Sequence, residues 1–247
     1  DGVKEIHFGD PGWRLGYARD ALNSYFVFKT LREKGTISED VRFQVCLPLT
    51  YSGIGALFRT IKDWPVMAAA YEEAMAAELA VIVDKIPPED LAIQWDFCVE
   101  LGMIEGGGAK SGHGSWNDLE TQPSELIGAS IAHLSPLIPD EVMLGFHLCY
   151  GTLGGWPMRP GNDLAMGVDA VHLILDRAGR QVDFVHIPIL DNVPAEYFAP
   201  LGNLNSGGTK IYFGVIHNMN DLDDFRHKIT ECTRYVDDFG VAAPCGF

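Results

Sequence analysis

Short runs of β-branched and aromatic residues, bounded by Pro, Gly or Asp, recur along the chain at Val41–Leu47, Leu91–Val99, Val142–Cys149, Val182–Ile189, Lys210–Ile216 and Val241–Cys245. Runs of this length are too short for helices, and their near-continuous apolarity suits strands buried in a parallel sheet. Longer segments with helical patterning separate them: Tyr17 to Lys34, Asp63 to Val83, Thr121 to Pro136, Asp163 to Arg177 and Leu222 to Val236. Asp63-Trp64-Pro65 has the form of a capping residue followed by proline in the first turn, and Thr121-Gln122-Pro123-Ser124-Glu125 opens a helix in a similar way. Val3 to Phe8 reads as one further short strand.

Strands that alternate with helices predict βα units and an α/β fold. Six such strands would fit an open doubly wound sheet. However, the long polar, Gly-rich loops, Gly106 to Gly114 and Gly151 to Gly161, follow strand carboxyl ends. That placement is expected for the active face of a (β/α)8 TIM-type barrel. Six strands fall short of eight, and the opening Asp1-Gly2-Val3 has no initiator Met. The expectation is therefore one barrel domain over residues 1–247 that lacks about two amino-terminal βα units.

Composition narrows the partners. The 247 residues are 47% hydrophobic and 21% charged, enough apolar content for a sizeable core. A formal net charge of −16 argues against nucleic acid and against anionic membrane surfaces. No run of about 18 apolar residues predicts a membrane span. Five widely spaced cysteines do not form a disulfide framework and fit a reducing, cytoplasmic setting where thiols bind metal or fill the core. Oligomerisation is left open.

Candidate chemistry lies at three strand ends. In Gly145-Phe146-His147-Leu148-Cys149-Tyr150, strand alternation projects His147 and Cys149 from one face, and both are good zinc ligands. Ala243-Pro244-Cys245-Gly246 places another soft ligand at the end of the last strand. In Ile93-Gln94-Trp95-Asp96-Phe97-Cys98, a carboxylate late in an apolar strand is costly unless it is paired or functional. Each has a plainer reading: a buried His/Cys pair, a small hydrophobe before a turn, a carboxylate bonded to loop backbone, and Cys98 as packing.

Together these motifs resemble the carboxy-terminal catalytic barrel of the cobalamin-independent methionine synthase family, which carries His-x-Cys-Tyr, Ile-Gln-x-Asp and Asn-Pro-x-Cys-Gly strands. Here they stand in the same relative order as His147-Leu148-Cys149-Tyr150, Ile93-Gln94-Trp95-Asp96 and Ala243-Pro244-Cys245-Gly246. The resemblance spans about Val41 to the end. It implies a barrel, zinc held by His147, Cys149 and Cys245, and Asp96 near a substrate amino group. It also implies methyl or alkyl transfer to a small-molecule thiol, with a folate-type or other methyl donor as co-substrate.

One departure stands out. The family's fourth zinc ligand is a glutamate on the next strand, and in Val182-Asp183-Phe184-Val185-His186-Ile187-Pro188 a proline occupies that place. His186, one alternation earlier, becomes the candidate substitute, with Asp191 a looser one. His217 is a candidate proton-handling catalytic residue, by resemblance to a family histidine near the reacting centre, and Arg159 a candidate partner for a substrate carboxylate. His113 and Trp116 are candidates for a lid. Two rival readings are a metal-free lyase resembling uroporphyrinogen decarboxylase and a degenerate, non-catalytic binding barrel.

Overall fold

The computed structural model describes residues 15–55, 57–58, 60–105, 119–152, 155–217 and 221–245. Six strands form one sheet: β1 (Phe43–Pro48), β2 (Leu91–Phe97), β3 (Met143–Leu148), β4 (Phe184–Pro188), β5 (Lys210–Gly214) and β6 (Phe239–Ala242). All neighbours are parallel, and their order in space is their order in sequence. A doubly wound sheet needs a reversal of strand order, and this sheet has none. Right-handed crossovers between successive strands then carry the connections over one face.

Burial shows which face that is. Leu47, Ile93, Trp95, Phe97, Leu144, Phe146, Val185, Ile187 and Phe213 alternate along the strands, and all are fully buried. They join one continuous core with Met75, Leu79 and Ile82 of α3 (Trp64–Lys85), Ile127 and Ile131 of α5 (Pro123–Leu134), and Val171 and Ile174 of α6 (Ala165–Arg177). At about 25 cal/mol per Å² of buried apolar surface, this layer is the main source of stability. No described helix is long and apolar enough to cross a membrane.

The opposite face mixes Gln94, Asp96, His147 and His186 with apolar Ala92, Met143 and Phe184, and faces a cleft of about 930 Å3 that runs the height of the sheet, from Arg42 and Gln44 at one end to Cys98 and Cys149 at the other. Parallel sheets usually have both faces covered, yet on this face Tyr212 stands open at 37% exposure.

Helix α1 (Tyr17–Glu33) and the last helix, α7 (Leu222–Thr233), lie where the pattern predicts them. Asp63 does not cap α3: it ends a 3-10 turn, in αR conformation, and its side chain accepts no bond from the helix. The predicted last strand, Val241–Cys245, is shifted, because pairing with β5 covers Phe239–Ala242 and Cys245 lies beyond it. Two short helices were not anticipated, α2 (Thr50–Gly55) and α4 (Val99–Glu105), and a 3-10 helix (Ala195–Asn203) occupies the β4-to-β5 connection. Val3 to Phe8 and Gly106 to Gly114 lie outside the described residues.

A buried clamp fixes the carboxyl end of β2. Glu100, with no exposed surface, accepts from the Ser52 amide at 2.9 Å and from the Ser52 hydroxyl. The same hydroxyl oxygen accepts from the Cys98 and Val99 amides at 3.0 and 3.1 Å. The start of α4 is thereby tied to α2, and Cys98 is held at the cleft.

Candidate metal centre

Parallel register sets the site. Asp96 pairs with His147, and His147 with His186, so three polar side chains cross the cleft face of β2, β3 and β4 in one row. One step beyond β3, the Cys149 amide donates to the Phe97 carbonyl at 3.0 Å, extending the pairing and placing Cys149 above His147. The chain then turns sharply at Gly151, whose φ of +82° favours glycine. This turn brings the Gly151 amide to the Cys149 sulfur at 3.3 Å.

Cys245 arrives from the far side of the sheet. In a flat sheet, strands three apart are separated by about 14 Å, yet the Sγ atoms of Cys149 and Cys245 are 3.5 Å apart. Part of the span is covered by residues 243–245, which cross the end of β5 at Gly214. A Cβ on Gly214 would lie 2.6 Å from Pro244 Cα and 3.0 Å from the Ala243 oxygen, so the crossing needs glycine there. The metal-binding atoms of His147, Cys149 and Cys245 all lie within 4.8 Å of one another. No disulfide joins any of the five cysteines.

This donor set fits a zinc-type ion. With Zn–S bonds of about 2.3 Å and a tetrahedral angle, two sulfurs on one ion lie about 3.8 Å apart, a few tenths of an ångström wider than the observed 3.5 Å. A disulfide would need about 2.05 Å. His147 is only 7% exposed, and its Nε2 is buried without a hydrogen-bond partner, which leaves a nitrogen for a metal. Burial, reinforced by His186, pushes the His147 pKa down to about 3, so the ring is neutral, the form that ligates. Burial likewise lowers His186 to about 4, against the Ala243 carbonyl. Cys98 and Cys149 share a hydrogen bond that lowers the Cys98 thiol and, with burial, raises that of Cys149. A divalent cation would override that order by deprotonating the thiols it coordinates.

The other candidate residues are placed as follows. His186 is not among the three converging residues: its Nδ1 lies 2.7 Å from His147 Nδ1, with the rings stacked at 4.7 Å. Asp191 is engaged elsewhere, by Lys228 Nζ at 2.8 Å and His217 Nδ1 at 3.0 Å. Asp96 faces the cleft, accepts from Gln94 Nε2 at 2.9 Å, and has its pKa raised by burial to about 6. His217 lines a separate pocket of about 300 Å3, with Nε2 2.6 Å from the Ile189 carbonyl and its ring against Trp156. Arg159 is half-buried, its guanidinium lying over Gly102 where a Cβ would be, and its charge is felt at Cys98. His113 and Trp116 are outside the described residues.

Cys98 is the residue the sequence reading undervalued. It lines the cleft with Cys149 and Cys245, and the available signal was its position two residues after Asp96 on one strand face. No protein-family model matches the chain, and no curated protein matches it.

Proposed function

We propose that this chain is a zinc-dependent methyl or alkyl transferase acting on a small-molecule thiol, similar to the cobalamin-independent methionine synthase family. In this reading the six-stranded sheet is the larger part of a (β/α)8-type barrel. The observation that carries it is the convergence of His147, Cys149 and Cys245 at strand carboxyl ends beside an open cleft. Three protein ligands, rather than four, leave a position for substrate, as catalytic zinc sites do.

Bound there, zinc would lower the pKa of a thiol and keep its sulfur nucleophilic at neutral pH. The chain's own residues supply the rest. Asp96, mostly ionised at pH 7 with its pKa near 6, offers a carboxylate to a substrate ammonium group. Arg159, packed over Gly102 with its charge felt at Cys98, is the candidate to offer a guanidinium to a substrate carboxylate. The acceptor sulfur forms the new S–C bond, its proton leaves to solvent, and the donor's leaving atom keeps the bonding pair. A folate-type or other methyl donor fits this scheme as co-substrate, and a reducing compartment such as the cytoplasm would keep the cysteines available.

Metal content is the direct test. Wild-type protein is expected to hold about one zinc per chain after dialysis, and Cys149→Ser to lose both the zinc and alkyl transfer to added thiols. A wild-type protein that neither retains zinc nor takes it up would defeat the proposal in favour of a metal-free lyase or a binding barrel.

A further inference from the structure

The contact between His147 and His186 fixes more than packing. Their Nδ1 atoms are 2.7 Å apart on register partners of adjacent strands. Two nitrogens at that distance must have one hydrogen between them, since two lone pairs or two N–H groups would repel. Each neutral ring carries a single N–H, so what the two Nε2 atoms face decides which ring is the donor.

His186 Nε2 and the Ala243 carbonyl oxygen flank one point, the position a Cβ on Gly214 would take, at 2.7 and 3.0 Å, with no regular hydrogen bond between them. A carbonyl only accepts, so the His186 hydrogen belongs on Nε2. His186 Nδ1 is then a lone pair, and the hydrogen between the rings is His147's, on Nδ1. His147 Nε2 is left without a hydrogen, buried and with no hydrogen-bond partner. The opposite tautomers would bury a His147 N–H with nothing to receive it and set the His186 lone pair against a carbonyl oxygen.

We infer that His186 is a positioning residue, which locks His147 in the Nδ1–H tautomer and so presents its Nε2 lone pair to a metal held with Cys149 and Cys245. This deepens the metal reading proposed above and rests on it. It gives His186 a role in place of ligation: it orients the ligand histidine, as a carboxylate or carbonyl does at many zinc sites. In this arrangement Gly214 and Ala243 flank the far end of the His186 ring.

Two measurements test it. Long-range 1H–15N correlation spectra of the metal-free full chain report which nitrogen of each ring is protonated, with His147→Asn and His186→Asn assigning the signals. The expected result is Nδ1–H for His147 and Nε2–H for His186; a His147 Nε2–H tautomer overturns the inference. The second is zinc affinity by chelator competition. His186→Leu removes the acceptor and is expected to weaken binding about 10–100-fold. His186→Asn, whose side-chain oxygen can stand where Nδ1 stood, should stay within about threefold, a margin smaller than the usual cost of losing an outer-shell partner. The visible spectrum of the cobalt(II)-loaded His186→Asn protein should match wild type, and a changed ligand field would show His186 to be a ligand, overturning the proposal. Failure of wild-type protein to bind zinc would defeat the metal reading alone, while the tautomers of the metal-free protein would still be decided by the spectra.

Discussion

Asp96 shows how a single cleft residue can be costly for folding and, in the proposed function, useful for binding. Burial raises its carboxyl to about 6, with only Gln94 Nε2 opposing, against about 3.9 in an unfolded chain. The folded state therefore binds the proton more tightly. The penalty is absent below about pH 4, grows between pH 4 and 6, and stays in full above that range. About two pH units correspond to roughly 3 kcal/mol, and partial solvent access at the cleft reduces this. Asp96→Asn removes the titration while keeping the shape. In urea titrations of metal-free protein, the variant should be about 1–3 kcal/mol more stable than wild type at pH 7 and equal to it at pH 4. It should also bind an ammonium-bearing thiol more weakly. An equal stability change at both pH values would show that the carboxyl is not ionised against burial. At this scale the sequence was legible wherever strand alternation decides the outcome: His147, Cys149 and Asp96 do share the cleft face. It offered His186 only as a substitute ligand, because whether that ring ligates or orients depends on register with β3 and on a carbonyl from beyond β6.

Among the elements, the strand cores were legible from their apolar runs, and their ends were not. Val99 begins α4 rather than ending β2 because Glu100 and Ser52 hold that turn from 48 residues away. Cys245 lies past β6, since pairing with β5 stops at Ala242. The approach of Cys245 to Cys149 is thus a property of the 243–245 crossing, and that crossing depends on Gly214 having no side chain. Gly214→Ala would bring its methyl within 2.6 Å of Pro244 Cα, a backbone atom that cannot swing aside as a side chain would. The crossing must shift by several tenths of an ångström and carry Cys245 away from Cys149. Zinc affinity in the same chelator competition should fall about tenfold or more, about 1.4 kcal/mol. The secondary structure seen by circular dichroism should be unchanged. Wild-type affinity in Gly214→Ala would mean that the crossing yields freely and does not set the site.

For the whole molecule, the proposed metal site would link the centre of the sheet to its edge. His147 lies in β3 and Cys149 directly follows it, on a strand paired on both sides, whereas Cys245 follows β6, which is paired only with β5 among the described residues. All four residues of β6 are half-buried or exposed, so this edge should open by local fraying at low free-energy cost, while β3 opens only with the whole core. Without metal, β6 amides should exchange with deuterium far faster than those of β3. Zinc bound at Cys245 makes fraying of the edge break a metal–sulfur bond. With free zinc at 100 times its Kd, binding adds about 2.7 kcal/mol to global stability, a rise on the order of 5–10 °C in Tm for a chain of this size. The β6 amides, freed from their cheap local route, should slow by about 100-fold, the equivalent of that energy. The acidic surface, at net −16, will also attract zinc loosely, so Cys149→Ser is the control: it should show neither the Tm rise nor the slowing. If zinc slowed exchange in β3 and left β6 unchanged, Cys245 would not be a ligand and the centre would have to be rebuilt around His147 and Cys149.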